Sequence, residues 1–239
     1  MTENIVVSCV HNTIKVPHQY KQLFKGFEKK RRGAAGSDIG ASELGKEIAN
    51  ELKVQLYKAD VTRLLVELDC SLTNKKFLFS EITGRLDEKA KKSLLKKYYF
   101  SYYKKLGEEL KEKIRMNGTV LHLLVHSFAP VWKGKKRNAD IGILYDTRRL
   151  KEKKLAEAWI MLLKENLPKA RIRKNYPYRG TEDGIVSYFR KKLPHPNYSA
   201  LEIEVNNARL RNRLQSGSFR KIIAKTFYEM VQNAAKKSS

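Results

Sequence analysis

The chain has 239 residues, with 50 Lys and Arg against 25 Asp and Glu, a formal charge of +25. At 41% hydrophobic and 10% aromatic residues it carries enough apolar side chain to fill a core, which excludes intrinsic disorder. Its longest apolar stretches, 5–10 and 120–125, are about six residues, far short of the ~20 that a membrane span requires.

In chain order, the first expected element is a strand at 4–10. A six-residue linker-like segment, Arg32-Gly33-Ala34-Ala35-Gly36-Ser37, follows. Leu44, Ile48, Leu52 and Leu56, four apart, predict an amphipathic helix over 42–56. The β-branched run at 59–68 predicts a second strand. A long Lys/Glu-rich helix is expected over 87–116, and its aromatics between 98 and 103 span too wide a helical arc for one stacking face, so they are read as helix core. Strands at 119–125, 141–145, 170–173 and 200–205, with helices at 150–165 and 219–235, complete the set. This alternation predicts an α/β fold, one domain over 1–239 with a mainly parallel mixed sheet flanked by helices. The N-terminus has no positive n-region and no small-residue cleavage site, so a cytoplasmic protein is expected. Cys9 and Cys70 cannot form a disulfide framework and lack the paired spacing of a structural zinc site; both are read as buried thiols.

The basic residues are spread in short groups such as Lys29-Lys30-Arg31-Arg32 and Lys133 to Arg137 rather than gathered in a tail. Solvated helix faces account for most of them, with a nucleic-acid surface as the alternative.

In an open α/β sheet, ligands bind beyond the carboxyl ends of the strands. His11 follows the first expected strand, Asp69 and Cys70 the second, and His126 the third, while Glu202 and Glu204 lie within the last. Side chains alternate along a strand, so Glu202 and Glu204 share a face. Two carboxylates in an apolar strand are unfavourable unless paired, metal-bound or solvated. Two imidazoles, His11 and His126, with one carboxylate, Asp38, would make the protein half of a hydrolytic zinc site. The alternative is that each histidine is a hydrogen-bonding residue at a strand end, since neither His-x-x-Glu nor His-Glu-x-x-His occurs. His18 and His195 have no identifiable partners.

Seven segments fall in one order along the chain: Ser8-Cys9-Val10-His11 continuing to Val16-Pro17; Ser37-Asp38-Ile39-Gly40-Ala41; Thr62-Arg63-Leu64-Leu65-Val66-Glu67-Leu68; Val125-His126-Ser127-Phe128-Ala129-Pro130; Arg137 through Asp146; Asn175-Tyr176-Pro177-Tyr178 with Asp183-Gly184; and Leu201 through Asn206. Together they resemble the N-formylglutamate amidohydrolases, zinc hydrolases related in fold to carboxypeptidase A and aspartoacylase. The resemblance implies a zinc-carboxypeptidase-like (phosphorylase/hydrolase-like) fold and one zinc ion per chain, held by His11, Asp38 and His126. In related metallocarboxypeptidases the carboxylate ligand lies three residues after the first histidine, but here that position is Ile14. Glu204 resembles the general base, with Glu202 a second candidate on the same face. Arg63 would stabilise the developing oxyanion or hold a substrate carboxylate, and Asn175 and Tyr178 would line the pocket. Asp140, Tyr145 and Asp146, in a further matched segment, are read as a strand followed by a polar turn.

The chain departs from the family pattern where an Asp-Leu-Asn-Arg run is expected. Here the run is Glu67-Leu68-Asp69-Cys70, so the Asn-Arg pair that grips a substrate carboxylate is replaced, with Asp69 at the substrate-binding position. Arg179, or else Arg137 or Arg148, could supply a substitute cation. The expected activity is zinc-dependent hydrolysis of the amide bond of a small anionic, N-formylglutamate-like N-acyl amino acid, which the positive field would collect. The alternative is a basic, nucleic-acid-associated binding protein on the same fold with a degenerate metal site. The carboxypeptidase relationship also permits a peptidase-like activity on bacterial cell-wall or peptide substrates.

Overall fold

All five residues of the first strand, β1 (Ile5–Cys9), are buried, so its alternating side chains must be covered on both faces of a sheet. The computed structural model of the chain describes residues 4–211 and 213–236; the first three residues, on which the reading of the N-terminus partly rests, lie outside the described part. After β1 come a 3-10 helix at His18–Phe24, α1 (Glu28–Arg32), α2 (Ala41–Leu52), β2 (Leu56–Lys58), α3 (Lys75–Leu78), α4 (Glu88–Leu94), a π-helical turn at Leu95–Tyr99 and α5 (Phe100–Asn117). The second half comprises β3 (Val120–Phe128), the hairpin β4 (Val131–Trp132) and β5 (Lys135–Lys136), β6 (Ile141–Leu144), α6 (Leu150–Asn166), β7 (Ile172–Lys174), α7 (Ile185–Lys192), β8 (Tyr198–Asn206), a 3-10 turn at Asn207–Arg209 and α8 (Arg213–Lys236).

Six strands form one mixed sheet in the order β2-β1-β3-β8-β6-β7. All neighbours run parallel except β6, which is antiparallel to β8. Ile5, Val7 and Cys9 of β1, Leu121, Leu123 and Val125 of β3, and Leu201, Ile203 and Val205 of β8 share one face, packed by α2, α6 and α8 through residues such as Leu44, Trp159 and Phe227. On the opposite face Val6, Leu124 and Ala200 meet α5, α7 and the irregular segment after β2. That second face also buries a polar chain: Ser8 Oγ lies 2.6 Å from His122 Nε2, whose Nδ1 lies 2.8 Å from the Tyr198 hydroxyl. Burial pushes His122 down to about 3, so its ring is a neutral structural link between three strands.

The helices expected at 42–56, 150–165 and 219–235 are present as α2, α6 and α8, although α2 ends at Leu52, where Lys53 adopts φ 56°. The strand expected at 59–68 is a correction. Only Leu56–Lys58 pairs with the sheet, and the following residues turn back on themselves: Leu65 N bonds the Thr62 carbonyl at 2.9 Å and Glu67 N the Leu78 carbonyl at 2.9 Å. Val61, Leu64, Leu65, Val66 and Leu68 are buried against α5, and a buried apolar run has the same appearance in sequence whether it is a strand or a packed loop.

The helix expected at 87–116 is interrupted by the π-helical turn. Tyr99 and Tyr103 stack with ring centroids 4.3 Å apart. Their hydroxyls donate to the backbone carbonyls of Cys70, at 2.8 Å, and Leu68, at 3.0 Å. The aromatic group is therefore helix core, as expected, and it also holds the loop that carries Glu67 and Asp69. Among the described residues no helix is long and apolar enough to cross a membrane.

Candidate metal centre

The parallel register of β3 and β8 sets His126 directly opposite Glu204. On the other side of Glu204 the antiparallel partner is Gly142, where a Cβ would collide with the Tyr176 carbonyl, so only glycine admits that close approach beside the glutamate. His11 sits just past the end of β1, and its carbonyl accepts the Asp38 N–H at 2.9 Å, which brings the loop before α2 to the same strand ends.

There His11, Asp38 and His126 converge, all buried, each offering a ligand atom within 4.8 Å of the others. Asp38 Oδ2 lies 2.7 Å from His126 Nδ1 and 3.4 Å from His11 Nδ1. The far nitrogen of each ring faces a second carboxylate. His11 Nε2 is 2.5 Å from Glu67 Oε1, and His126 Nε2 is 3.4 Å from Asp69 Oδ2. At His11, Glu67 on Nε2 leaves Nδ1 free, the arrangement in which a carboxylate behind the ring fixes the orientation of a metal-binding histidine. His11 Nδ1 and His126 Nε2 are buried without a hydrogen-bond partner, as is Glu204 Oε2. A set of two imidazoles and a carboxylate with unsatisfied buried donor atoms fits a zinc-type ion.

The charges are strongly coupled. Burial would raise the Asp38 and Glu67 carboxyls, but His11 and His126 around the first, and Arg63 and His11 around the second, hold both far below the usual carboxylate range. Burial alone would lower His126, yet its bond to Asp38 raises it above the usual histidine value. Burial pushes Glu204 up to about 7 and Glu202 up to about 8, with Asp69 adding to the second shift.

These groups face a cavity of about 460 Å³. Of the residues singled out in the sequence, His11, Asp38, His126, Glu202, Glu204, Arg63, Asp69, Tyr178 and Arg179 line it. Asn175 does not. Its Oδ1 accepts the backbone N–H groups of Tyr145 and Gly180, both at 3.0 Å, so it braces a loop with φ 47° instead of reaching the pocket. Arg137 and Arg148 are also absent from the wall: Arg137 packs on the rings of Phe128, Trp132 and Tyr178, and Arg148 pairs with Asp146 at 2.8 Å. Cys70 lies on the cavity wall but is buried, and burial lifts its thiol to about 12, which removes it as a nucleophile. Asp69 does more than line the pocket, since its Oδ1 caps α7 by accepting the Ile185 N–H at 2.9 Å.

Sequence reasoning missed Glu67 as a site residue. Its Oε2 takes Arg63 Nε at 2.8 Å and Nη2 at 2.7 Å while Oε1 faces His11. The signal was the Arg63/Glu67 spacing of four inside an otherwise apolar run, where a buried carboxylate needs partners.

Fold and site together define an α/β protein with a candidate His-Asp-His metal centre in a cavity at the carboxyl ends of its central strands. The chain belongs to the N-formylglutamate amidohydrolase family, whose model matches residues 3–210. No curated protein matches the chain in sequence. Among solved structures, a gene product of Agrobacterium tumefaciens aligns with TM-score 0.82 at 20% identity, covering 97% of this chain and 92% of that one. An N-formylglutamate amidohydrolase from Ralstonia eutropha aligns with TM-score 0.72 at 14% identity, covering 98% and 94%. At these identities the likeness is one of fold.

Proposed function

We propose that this chain is a zinc-dependent amidohydrolase of small N-acyl amino acids, acting as one domain over 1–239, with one zinc held by His11, Asp38 and His126. The observation that carries the reading is the pair of buried imidazoles around Asp38, with His11 Nδ1, His126 Nε2 and the neighbouring Glu204 Oε2 all lacking hydrogen-bond partners. The family assignment and the fold match to the Ralstonia eutropha amidohydrolase support the same reaction class. Zinc in such a site supplies Lewis acidity toward an amide carbonyl and a water of lowered pKa.

The remaining steps belong to the protein. Glu204 takes a proton from the attacking water and returns it to the leaving nitrogen; burial raises its carboxyl above the usual range, toward the pH at which both transfers are run. Arg63, whose Nη1 lies 3.5 Å from Asp38 Oδ1, is the cation nearest the metal ligands and faces the developing oxyanion. Glu67 holds Arg63 and the His11 ring in register. Tyr178 and Arg179 contact the substrate from the cavity wall. Free, buried Cys9 and Cys70 accord with a cytoplasmic setting. The alternative, a nucleic-acid-associated protein with a degenerate metal site, rests on the +25 charge and the loss of the Asn-Arg pair, and the convergence of His11, Asp38 and His126 argues against it.

The test is turnover of a panel of N-formyl and N-acetyl amino acids by zinc-loaded wild type and Glu204→Gln. Glu204→Gln should retain zinc and lose about 10²- to 10⁴-fold in kcat. Wild-type turnover in that variant would overturn the assignment.

A further inference from the structure

We infer that the substrate accepted by this site carries a positive charge, an ammonium or guanidinium on a short alkyl arm, and that Glu202 receives it. The inference rests on the amidohydrolase reading above and names its substrate class.

The cavity inverts the charge balance of the chain. Lys and Arg outnumber Asp and Glu two to one in the whole sequence, yet the cavity wall holds seven carboxylates and two arginines. Part of that set is already committed. Glu67 neutralises Arg63, and Asp38 belongs to the metal donors. Five carboxylates remain, Asp69, Glu182, Asp183, Glu202 and Glu204, against Arg179 and the one net positive charge left by a divalent ion bound to Asp38. Even with Glu202 and Glu204 both protonated, the wall has no surplus of positive charge for a second anionic group. The field of the +25 surface draws anions toward the molecule, but this pocket does not retain them.

Among the acids, Glu202 and Glu204 accept no hydrogen bond from a described residue, and Glu204 is taken by the reaction, which leaves Glu202. Asp69 accepts the Ile185 N–H, Asp183 accepts from Ser71 and Asn74, and Glu182 accepts the Arg179 N–H. Glu202 accepts no hydrogen bond from any described residue, and it lies on the Glu204 face of β8, two residues earlier. That offset is about 7 Å along a strand. Glu204 beside it is buried with Oε2 unpartnered, which puts the reacting centre at one end of this interval and, at the other, a carboxyl with no hydrogen-bond partner, whose charged form a bound cation would favour. Leu144, Val186 and Phe77 supply apolar wall in the same cavity for the methylenes of a basic amino acid or a diamine.

The test uses three N-formyl amino acid methylamides that differ only in side-chain charge: lysine, norleucine and glutamate. Zinc-loaded wild type should prefer them in that order, with kcat/KM for lysine about 10- to 100-fold above norleucine. In Glu202→Gln the lysine-to-norleucine ratio should collapse toward one, mainly through KM. Preference for glutamate, equal use of lysine and norleucine, or an unchanged ratio in Glu202→Gln would overturn the inference. If these three and the free N-formyl and N-acetyl amino acids are all inert, the amidohydrolase reading fails, and calorimetry with the N-acetyl-lysine and N-acetyl-glutamate methylamides still decides the pocket's charge preference: tighter lysine binding, weakened in Glu202→Gln, supports it, and equal or tighter glutamate binding refutes it.

Discussion

Replacing Glu67 by Gln keeps the shape of the side chain and removes its charge, which isolates what that carboxylate does behind His11 in the candidate metal site. In the wild type, Oε1 faces His11 Nε2 at 2.5 Å and accepts the Asp69 N–H at 2.9 Å, while Oε2 takes Arg63 at 2.7 and 2.8 Å. Glutamine can keep some of these contacts, but it cannot hold the His11 ring through a charged bond or balance Arg63. Loss of an outer carboxylate of this kind typically lowers metal affinity about 10- to 100-fold, or about 1.4–2.7 kcal/mol. Arg63 is 34% exposed at its side chain and can recover hydration, so the folding cost should stay at about 1–3 kcal/mol. With an unfolding entropy of about 0.5 kcal/mol/K for a chain of this size, that corresponds to a fall in Tm of about 2–6 °C. The assays are zinc competition against a chromophoric chelator and calorimetric melting of the metal-free protein. Zinc affinity within twofold of wild type would refute the claim that Glu67 orients His11 for a metal.

Two further predictions concern stability. Arg190→Met removes the partner of Glu152, a fully buried carboxylate held by Arg190 at 2.8 and 3.1 Å, and leaving it unpaired should cost about 3–5 kcal/mol, a Tm fall of about 6–10 °C; a change below about 1 °C would contradict it. Burial works to raise the Asp140 carboxyl, but hydrogen bonds from Arg171 and Arg209 bring it down from 3.8 to about 2. Its contribution is therefore complete above pH 3.8 and is lost as pH falls through about 2, so wild type should be more stable than Asp140→Asn at pH 6 and the two acid-unfolding curves should converge near pH 2. A gap that persists unchanged to pH 2 would show that the difference comes from packing.

The sheet was legible where strands are buried on both faces: the run at 200–205 falls inside β8, and that at 119–125 covers the first six residues of β3, which continues to Phe128. The same signal misled at 59–68, where burial against α5 imitates a strand. Helix α7 was missed for a different reason. Its residues Ile185-Val186-Ser187-Tyr188-Phe189 have weak helix propensity, and its N-terminus is capped by Asp69, 116 residues away. His11 and His126 stood out because histidines are few; the structure brings both beside Asp38, His11 just past β1 and His126 within β3. Glu67 escaped because its role depends on a contact with His11 across 56 residues, and Asn175 was misplaced because an amide that braces a loop looks in sequence like one that faces a pocket.

The central claim is a metal held by His11, Asp38 and His126, and metal content measures it most directly. Elemental analysis of wild type, His11→Ala and His126→Ala, purified without a metal-binding tag, should find about one zinc per wild-type chain and next to none in either variant. A wild-type protein that is metal-free and takes up no added zinc would contradict the account.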